Sequence, residues 1–547
     1  MGNDEHNAGG AGQSRRSAEA RFAFGSGLSG ERPSAAAATE AAERALAELT
    51  IEGGGVPTAA SVVGGLTGAD SGERSVRSEG EKPSIEAAVV FVSPHHMNSM
   101  GEVMEAVERV LGPKAMIGVG VEAVIGGFLE LESVPGVSVL AMHLPGVEAR
   151  TFSSEDLPMV LGVDEEADAA EDISRVAGPM GFAEGHLFTV LLADPFTVPI
   201  AGVLPTVTRA SKGLGVVVGG IVSGSMRAGG NVLAEGTKVR HQGLVGLTLR
   251  RKAGVPWANM KGLKVECVVS QGCAPVGRDL IVTGVGPGLG HGEGLGGAGG
   301  ADEDRSEGDE EAKNVPHAGS PIITGLGGRP ALEVIREVIE ALPEQKRALL
   351  SRGLLIGRVV NEYKERFGAG DYLVRAVVKV APEGGAVMTD GLFKVGQTVR
   401  LHLRDAETAD ADLSMLMDAQ ALHGRPLGGL LITCNGRGTR LFKAPSHDAV
   451  MIQRAFFESV PGEEKAKTGS ALGGSTAAVY SSVVSAGKGA EQAPATTGGR
   501  GLRRGFPLAG CFAAGEIGPV NDSSDRESSG VHLHGHTACA VLFREEE

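Results

Sequence analysis

Three groupings of residues carry the side chains with which this chain could do chemistry. The first is Cys434-Asn-Gly-Arg-Gly438. The apolar run Gly429–Thr433 reads as a strand that ends here, and Asn435-Gly436 supplies the sharp turn these two residues favour. Such a turn presents a thiol and a guanidinium at a strand end, where α/β folds tend to place ligands. Arg437 offers a planar donor fork suited to a carboxylate or phosphate. A cation beside Cys434 would also lower the thiol pKa and make it reactive. The alternative is a buried structural cysteine, with the arginine tied to an internal acid such as Glu516.

The second grouping is Gly510-Cys-Phe-Ala-Ala-Gly-Glu516, an apolar strand delivering an acid among small residues. A buried carboxylate needs a partner, because unpaired burial is costly. Glu516 either pairs with Arg437 or receives a ligand ammonium group, and the two together suit an amino-acid-like zwitterion. Gly436, Gly438, Ala514 and Gly515 leave room for one. The third grouping is His532, His534 and His536. Their alternation would put all three on one face of a strand, where imidazoles can bind zinc or copper. The adjoining polar loop, Ser523–Gly530, points instead to exposed histidines, and no metal is assigned.

Other chemistries lack their motifs. Gly213-Leu-Gly-Val-Val-Val-Gly-Gly220 is not followed by Gly-Lys-Ser/Thr and has no acid at a dinucleotide offset, so it reads as a strand in close packing. The folded portions contain no Gly-x-Ser-x-Gly elbow and no His-Glu-x-x-His helix. The alternative functions are a thiol-dependent enzyme using Cys434, with His402 and His536 as candidate bases, and a protein-interaction scaffold or substrate-recognition module without a ligand.

The elements that must position these groups are legible from periodicity. Ala87–Ser93 reads as a buried strand and Met100–Leu111 as a helix with Val103, Val107 and Val110 on one face. Met116–Gly120, Ala123–Leu131, Val137–Leu144, Leu191–Pro195, Val216–Val222, Gly243–Leu249 and Gly262–Ser270 read as further strands. Pro330 opens a helix that Pro343 breaks, and a second helix ends near Gly353. Strands are predicted at Leu354–Val360, Tyr372–Val380, Thr398–Leu403 and near Cys539–Phe543, with a helix over Asp412–Leu422.

Composition sets the bounds. Glycine supplies 85 of 547 residues, roughly twice its usual share of about 7%. Residues 1–84, 286–320 and 461–504 are Gly-, Ser-, Ala- or acid-rich and predicted to be dispensable for folding, with one helix, Ala35–Leu49, in the first of them and Val479–Val484 as the exception in the last. The net charge of −16 argues against nucleic acid and anionic membrane as partners. No apolar run approaches the ~20 residues of a bilayer span. Five unpaired cysteines and no secretory signal point to a reducing compartment, the cytoplasm.

Several of these blocks carry a family resemblance. Tyr372-Leu-Val-Arg375, Val399-Arg-Leu-His-Leu-Arg-Asp405, Cys434–Gly438, Leu508–Pro519 and Leu533-His-Gly-His-Thr537 together resemble the FIST C-terminal domain, in its order. Val89–Ser93, Met116–Gly118, Gly126-Gly127, Leu192–Phe196, Val218–Gly220 and Val269–Cys273 resemble the FIST N-terminal domain. The resemblance implies an α/β protein of two associated domains, 85–285 and 321–547, with mixed sheets flanked by helices. It further implies a non-catalytic intracellular sensory module without a cofactor. Such a module binds a small, amino-acid-like ligand and couples it to signalling or to a protein partner. The ligand set expected from it is Cys434, Asn435, Arg437 and Glu516, with Arg404 and Asp405 from the Val399–Asp405 block. Three departures stand out: long Gly-, Ser- and acid-rich insertions near 286–320 and 461–504 interrupt the family frame, Gly118-Val-Gly-Val-Glu122 has no serine or threonine where a polar turn is expected, and residues 1–84 hold no F-box.

Overall fold

The computed structural model describes residues 22–49, 83–157, 169–254, 262–286, 320–381, 384–456, 505–520 and 530–546. Its first element is a strand that composition concealed, β1 (Ala23–Ser29), followed by α1 (Ser34–Leu49). A Cβ on Gly25 or Gly27 would lie 2.0 or 1.8 Å from the carbonyl oxygen of Ala45 or Ala41. Glycine on the strand and fully buried Ala37, Ala38, Ala41, Ala42 and Ala45 on the helix therefore let the two backbones touch. The expectation that residues 1–84 lie outside the fold is corrected here. Small residues mark a close helix–strand contact, which composition alone does not distinguish from a linker.

Three modules of one design follow each other along the chain. After β1 and α1 come β2 (Ala87–Val92), α2 (Met100–Leu111), β3 (Ala115–Gly120), the hairpin β4 (Ala123–Gly126) and β5 (Leu129–Glu132), and β6 (Val137–His143). Helix α2 buries Val103, Met104, Val107 and Leu111 and stops at Gly112, whose φ of 59° is left-handed. The stretch predicted as one strand, Ala123–Leu131, is this hairpin, turned at left-handed Gly127.

The second module repeats the order with β7 (Val147–Ser153), α3 (Ala169–Ala177), β8 (His186–Ala193), α4 (Ile200–Ser211), β9 (Val216–Ile221), the hairpin β10 (Leu233–Glu235) and β11 (Lys238–Arg240), and β12 (Leu244–Arg251). The third opens with β13 (Leu263–Gln271) and is interrupted by an inserted barrel. That barrel comprises β14 (Cys273–Val285), β15 (Ser320–Leu326), β16 (Arg329–Pro330), α5 (Ala331–Glu340), α6 (Glu344–Ala348), β17 (Leu354–Val359), β18 (Tyr372–Ala381), β19 (Ala386–Phe393) and β20 (Thr398–Arg404). The module then resumes with α7 (Ala406–Ala421), β21 (Gly428–Cys434), α8 (His447–Ala455), β22 (Leu508–Ala513), β23 (Glu516–Gly518), β24 (His532–His534) and β25 (Thr537–Glu545).

The sheets interlock. Their strand orders are β1-β6-β2-β3-β10-β11, β7-β12-β8-β9-β23-β24 and β13-β25-β21-β22-β4-β5. In each, a parallel pair joined through a helix sits between an antiparallel strand of its own module and a hairpin lent by another. Module one lends to three, two to one, and three to two. The two parts of the chain are therefore associated by shared sheets, and the α/β class with mixed sheets flanked by helices is what the structure shows. The inserted sheet, β14-β20-β17-β18-β19-β15, closes on itself through β14–β15 around Val282, Ile323, Ile356, Val387, Phe393 and Leu401. Most of the residues 286–320 and 461–504, including Val479–Val484, lie outside the described residues.

Candidate ligand site

Strand register makes the three modules directly comparable. Val92 lies opposite Gly120, Ala193 opposite Ile221, and Cys434 opposite Ala513, so these three end equivalent strands. The next residue is polar in each. Ser93 accepts from the Gly136 N–H at 2.9 Å, and Asp194 accepts from Asn231 Nδ2 at 2.9 Å and Thr197 Oγ1 at 2.7 Å. In the third module Asn435 Oδ1 is buried with no partner. The hairpins show the same contrast. β10 opens on Leu233 and β4 on Ala123, but β23 opens on the fully buried carboxyl of Glu516, opposite Gly220.

Glu516 Oε2 accepts from the Thr537 hydroxyl at 2.6 Å and the Thr537 N–H at 3.1 Å, whereas Oε1 has no N–H or O–H partner among the described residues, the Cys434 thiol being the carboxyl's remaining hydrogen-bond neighbour. Burial pushes this carboxyl up to about 8, against the Thr537 bonds and the nearby charge of Arg437. Burial thus favours its neutral form. The Cys434 thiol lies beside it and accepts from the Gly436 N–H at 3.4 Å. Arg437 does not pair with Glu516. Its Nε and Nη2 donate to Asp448 at 2.7 and 2.8 Å, and the guanidinium covers the Phe442 ring at 5.3 Å. Only Nη1 is left, buried and unpartnered. The expected ion pair is thus replaced by one with Asp448, in the first turn of α8.

Asp448 is the hub of this arrangement. It also accepts from Thr433 Oγ1 at 2.8 Å and contacts His447 Nδ1 at 3.0 Å, while His447 Nε2 reaches Asp410 at 2.9 Å. Burial opposes a charged imidazole, yet the two carboxylates raise His447 to about 9. Beside them Glu130 Oε1 accepts from the Ala449 N–H at 2.9 Å and Oε2 has no partner. Burial, helped by Asp448, pushes Glu130 up to about 8.

The barrel closes the other side. Arg404, at the end of β20, donates to the Gly436 carbonyl. A Cβ on Gly272 would sit 2.3 Å from the His536 carbonyl oxygen and 3.2 Å from Arg437 Nη1, so only glycine fits between barrel and turn. His536 itself has a φ of 64°, a left-handed conformation costly for a non-glycine residue and concentrated at functional sites. Its Nδ1 is buried and unpartnered.

The other expectations sort as follows. Cys434 is 7% exposed, and burial together with Glu516 pushes its thiol up to about 12. It is not the exposed, activated thiol that a neighbouring arginine suggested, because desolvation outweighs a cation already neutralised by Asp448. Neither candidate imidazole is bonded to it: His402 Nδ1 bonds the Arg400 carbonyl at 2.9 Å, and His536 meets the thiol through its backbone, its Nδ1 being unpartnered among the described residues. Asp405 caps α7, accepting from the Glu407 N–H and from Thr408 Oγ1, and pairs with Lys346 at 2.8 Å, which places it outside the site. The three histidines do not share a strand face, since β24 ends at His534 and His536 lies in the following turn. Among the described residues no group of three or more His, Cys, Asp or Glu is arranged to hold a metal ion.

Sequence reading missed Asp448, Glu130, His447 and Gln271, whose Oε1 is also buried and unpartnered. Gln271 sits inside the quoted Val269–Cys273 block and was findable. Nothing in Leu-Glu-Leu-Glu, residues 129–132, distinguishes a buried acid from an exposed one. The burial order predicts that brief alkylation labels half-exposed Cys267 well before Cys434. Peptide mapping checks this, and Cys434 reacting first would contradict the desolvated thiol.

Comparison with known families matches the FIST N domain over residues 86–288 and the FIST C domain over residues 331–462. The chain is 32% identical over 466 residues, 85% of its own length and 91% of theirs, to uncharacterized proteins of Mycobacterium bovis and Mycobacterium tuberculosis. A further uncharacterized Mycobacterium tuberculosis protein is 31% identical over 458 residues, 83% of this chain and 90% of that one. The FIST domains form a class of signal-transduction sensory modules. The chain belongs to the FIST family. The C-domain match ends at 462, but β22 to β25 complete the third module beyond it. No helix among the described residues is long and apolar enough to cross a membrane.

Proposed function

We propose that this chain is a sensory protein that binds a small, amino-acid-like ligand where the third module meets the barrel. The observation that carries this reading is a set of buried, unpartnered polar atoms: Asn435 Oδ1, Arg437 Nη1, Glu516 Oε1 and His536 Nδ1. Leaving one such group unsatisfied costs about 1–3 kcal/mol, so their concentration on adjoining elements favours a ligand that bonds them. Arg437 Nη1 and Arg404 suit a carboxylate. Glu516, neutral when alone, gives up its proton to hold an ammonium group. Because β23, which carries Glu516, pairs with β9 of the second module, occupancy there would register in two modules at once.

A thermal-shift panel of amino acids and related acids, paired with native mass spectrometry, tests the reading. Asn435→Ala and Glu516→Gln are the informative variants, since Arg437 is tied into the Asp448 ion pair. A ligand-dependent rise in Tm that both variants weaken at least tenfold in midpoint concentration is the expected result. A silent panel on the folded parent, with no retained small molecule by mass, overturns it.

A further inference from the structure

The charges around the site do not balance. Arg404 bonds only the Gly436 carbonyl, and Arg375 on β18 donates only to the carbonyls of Val374 and Leu533, at 2.9 and 2.8 Å. Neither guanidinium has a carboxylate within ion-pairing distance among the described residues. Burial chiefly depresses the His536 imidazole, and the charges of Arg404 and Arg375, from two different strands of the barrel, add to it. Glu516 is an acid near both ends of this arrangement, and its free oxygen is fully buried. Asp390, next in reach of Arg375, gives one oxygen to the Ala376 N–H.

A guanidinium bonded only to carbonyls has no counter-charge of its own, and burial makes that the more costly. Two of them near one unpartnered imidazole imply that the missing counter-charges arrive with the ligand. Arg404 reaches the Gly436 carbonyl beside Arg437, and Arg375 reaches the Leu533 carbonyl on the strand that precedes His536. A Cβ on Gly436 would sit 2.5 Å from Arg404 Nη2, so glycine there is what lets this guanidinium reach the turn.

We infer that the ligand is a small organic acid carrying two carboxylates, one received by Arg404 with Arg437 Nη1 and the other by Arg375. An amine between the two carboxylates is compatible, facing Glu516, so acidic amino acids and plain dicarboxylates belong to the same class. This inference rests on the ligand-binding reading above and narrows it.

The test uses the full chain and two sets of probes. Succinate, glutarate, aspartate and glutamate form the dicarboxylate set; acetate, alanine, leucine and glutamine form the control set. Binding is measured by calorimetry and thermal shift on the parent, Arg404→Gln and Arg375→Gln. The expected result is at least tenfold tighter binding of one or more dicarboxylates than of any control. Arg375→Gln should abolish that preference while a monocarboxylate still binds, and Arg404→Gln should weaken both sets. Without ligand, each variant should keep or raise the parent's Tm, since an uncompensated charge has been removed; a purely structural arginine would lower it. Control zwitterions binding as tightly as dicarboxylates, unaffected by either variant, overturn the dicarboxylate class while leaving ligand sensing intact. Dicarboxylate binding that both variants retain in full overturns the site assignment. No binding by either set overturns both readings. Should one variant fail to fold, Arg404→Lys or Arg375→Lys, which keep the charge but lose the fork, must reduce affinity in the folded protein for the inference to stand.

Discussion

Asp448→Ala lowers the stability of the folded chain by about 3–5 kcal/mol, the usual loss when one partner of a buried ion pair is removed. Both Arg437 and Asp448 have side chains only 1% exposed. Removing the acid strands the Arg437 guanidinium, the Thr433 hydroxyl and one contact of His447 together. Against such a loss, a surface pair like Lys238 with Glu155, 61% and 62% exposed, is worth about 0–1 kcal/mol. Urea unfolding of Asp448→Ala, Arg437→Ala and the double variant measures the coupling. The double variant should lose clearly less than the sum of the singles, because the second change removes a charge the first left unpaired. Additive losses would mean that the pair is not coupled.

The second large effect is on pH dependence. Burial raises Glu48, Glu130 and Glu516 each to about 8. Each then binds more protons folded than unfolded between about pH 4.5 and 8, so each makes stability fall as pH rises through that range. His447, raised to about 9, acts in the same sense from about 6.5 to 9. Four buried histidines act oppositely: His186, His402 and His536 are held down to about 4, and His534 to about 3. Unfolding lets them charge, so they make stability rise with pH up to about 6.5 and contribute nothing above it. The two groups offset one another in mild acid, and only the falling contribution is left beyond pH 6.5. Stability should therefore peak near pH 6 and decline to pH 9, by up to about 1.4 kcal/mol per pH unit for each group involved. Urea midpoints at pH 6, 7, 8 and 9 read this directly. Glu130→Gln and Glu516→Gln should each flatten the slope, and a midpoint that rises from pH 6 to pH 9 would refute the assignment.

Much of the local structure was written in the chain. Ala87–Ser93, Met100–Leu111, Val216–Val222 and Tyr372–Val380 were legible because an apolar run or a helical period is a property of neighbours in sequence. Helix α1 was also predicted, but its strand β1 was not, since Phe-Gly-Ser-Gly reads as a linker until an alanine face is laid against it. Helix α7 was placed six residues late because its first six residues, Ala406–Ala411, include no large apolar side chain; the Asp405 cap marks the true start. The strand ends at Cys434 and Glu516 were found from turn chemistry and small neighbours.

The sequence by itself thus determined the class, the family, most strands and helices, and the two places where polar groups meet strand ends. Only tertiary structure decided their partners. Arg437 chose Asp448 over Glu516, and Glu130 reached the same cluster from more than 300 positions away in the chain. The threefold repetition was equally hidden, because its marks are registers between strands rather than a repeated motif. Burial explains the rest. Whether a thiol is reactive or inert, or a carboxyl charged or neutral, depends on how much water surrounds it and on which charges fold against it. For Cys434 and Glu516, packing from the barrel and from β9 supplies that environment, and neither element is near them in sequence.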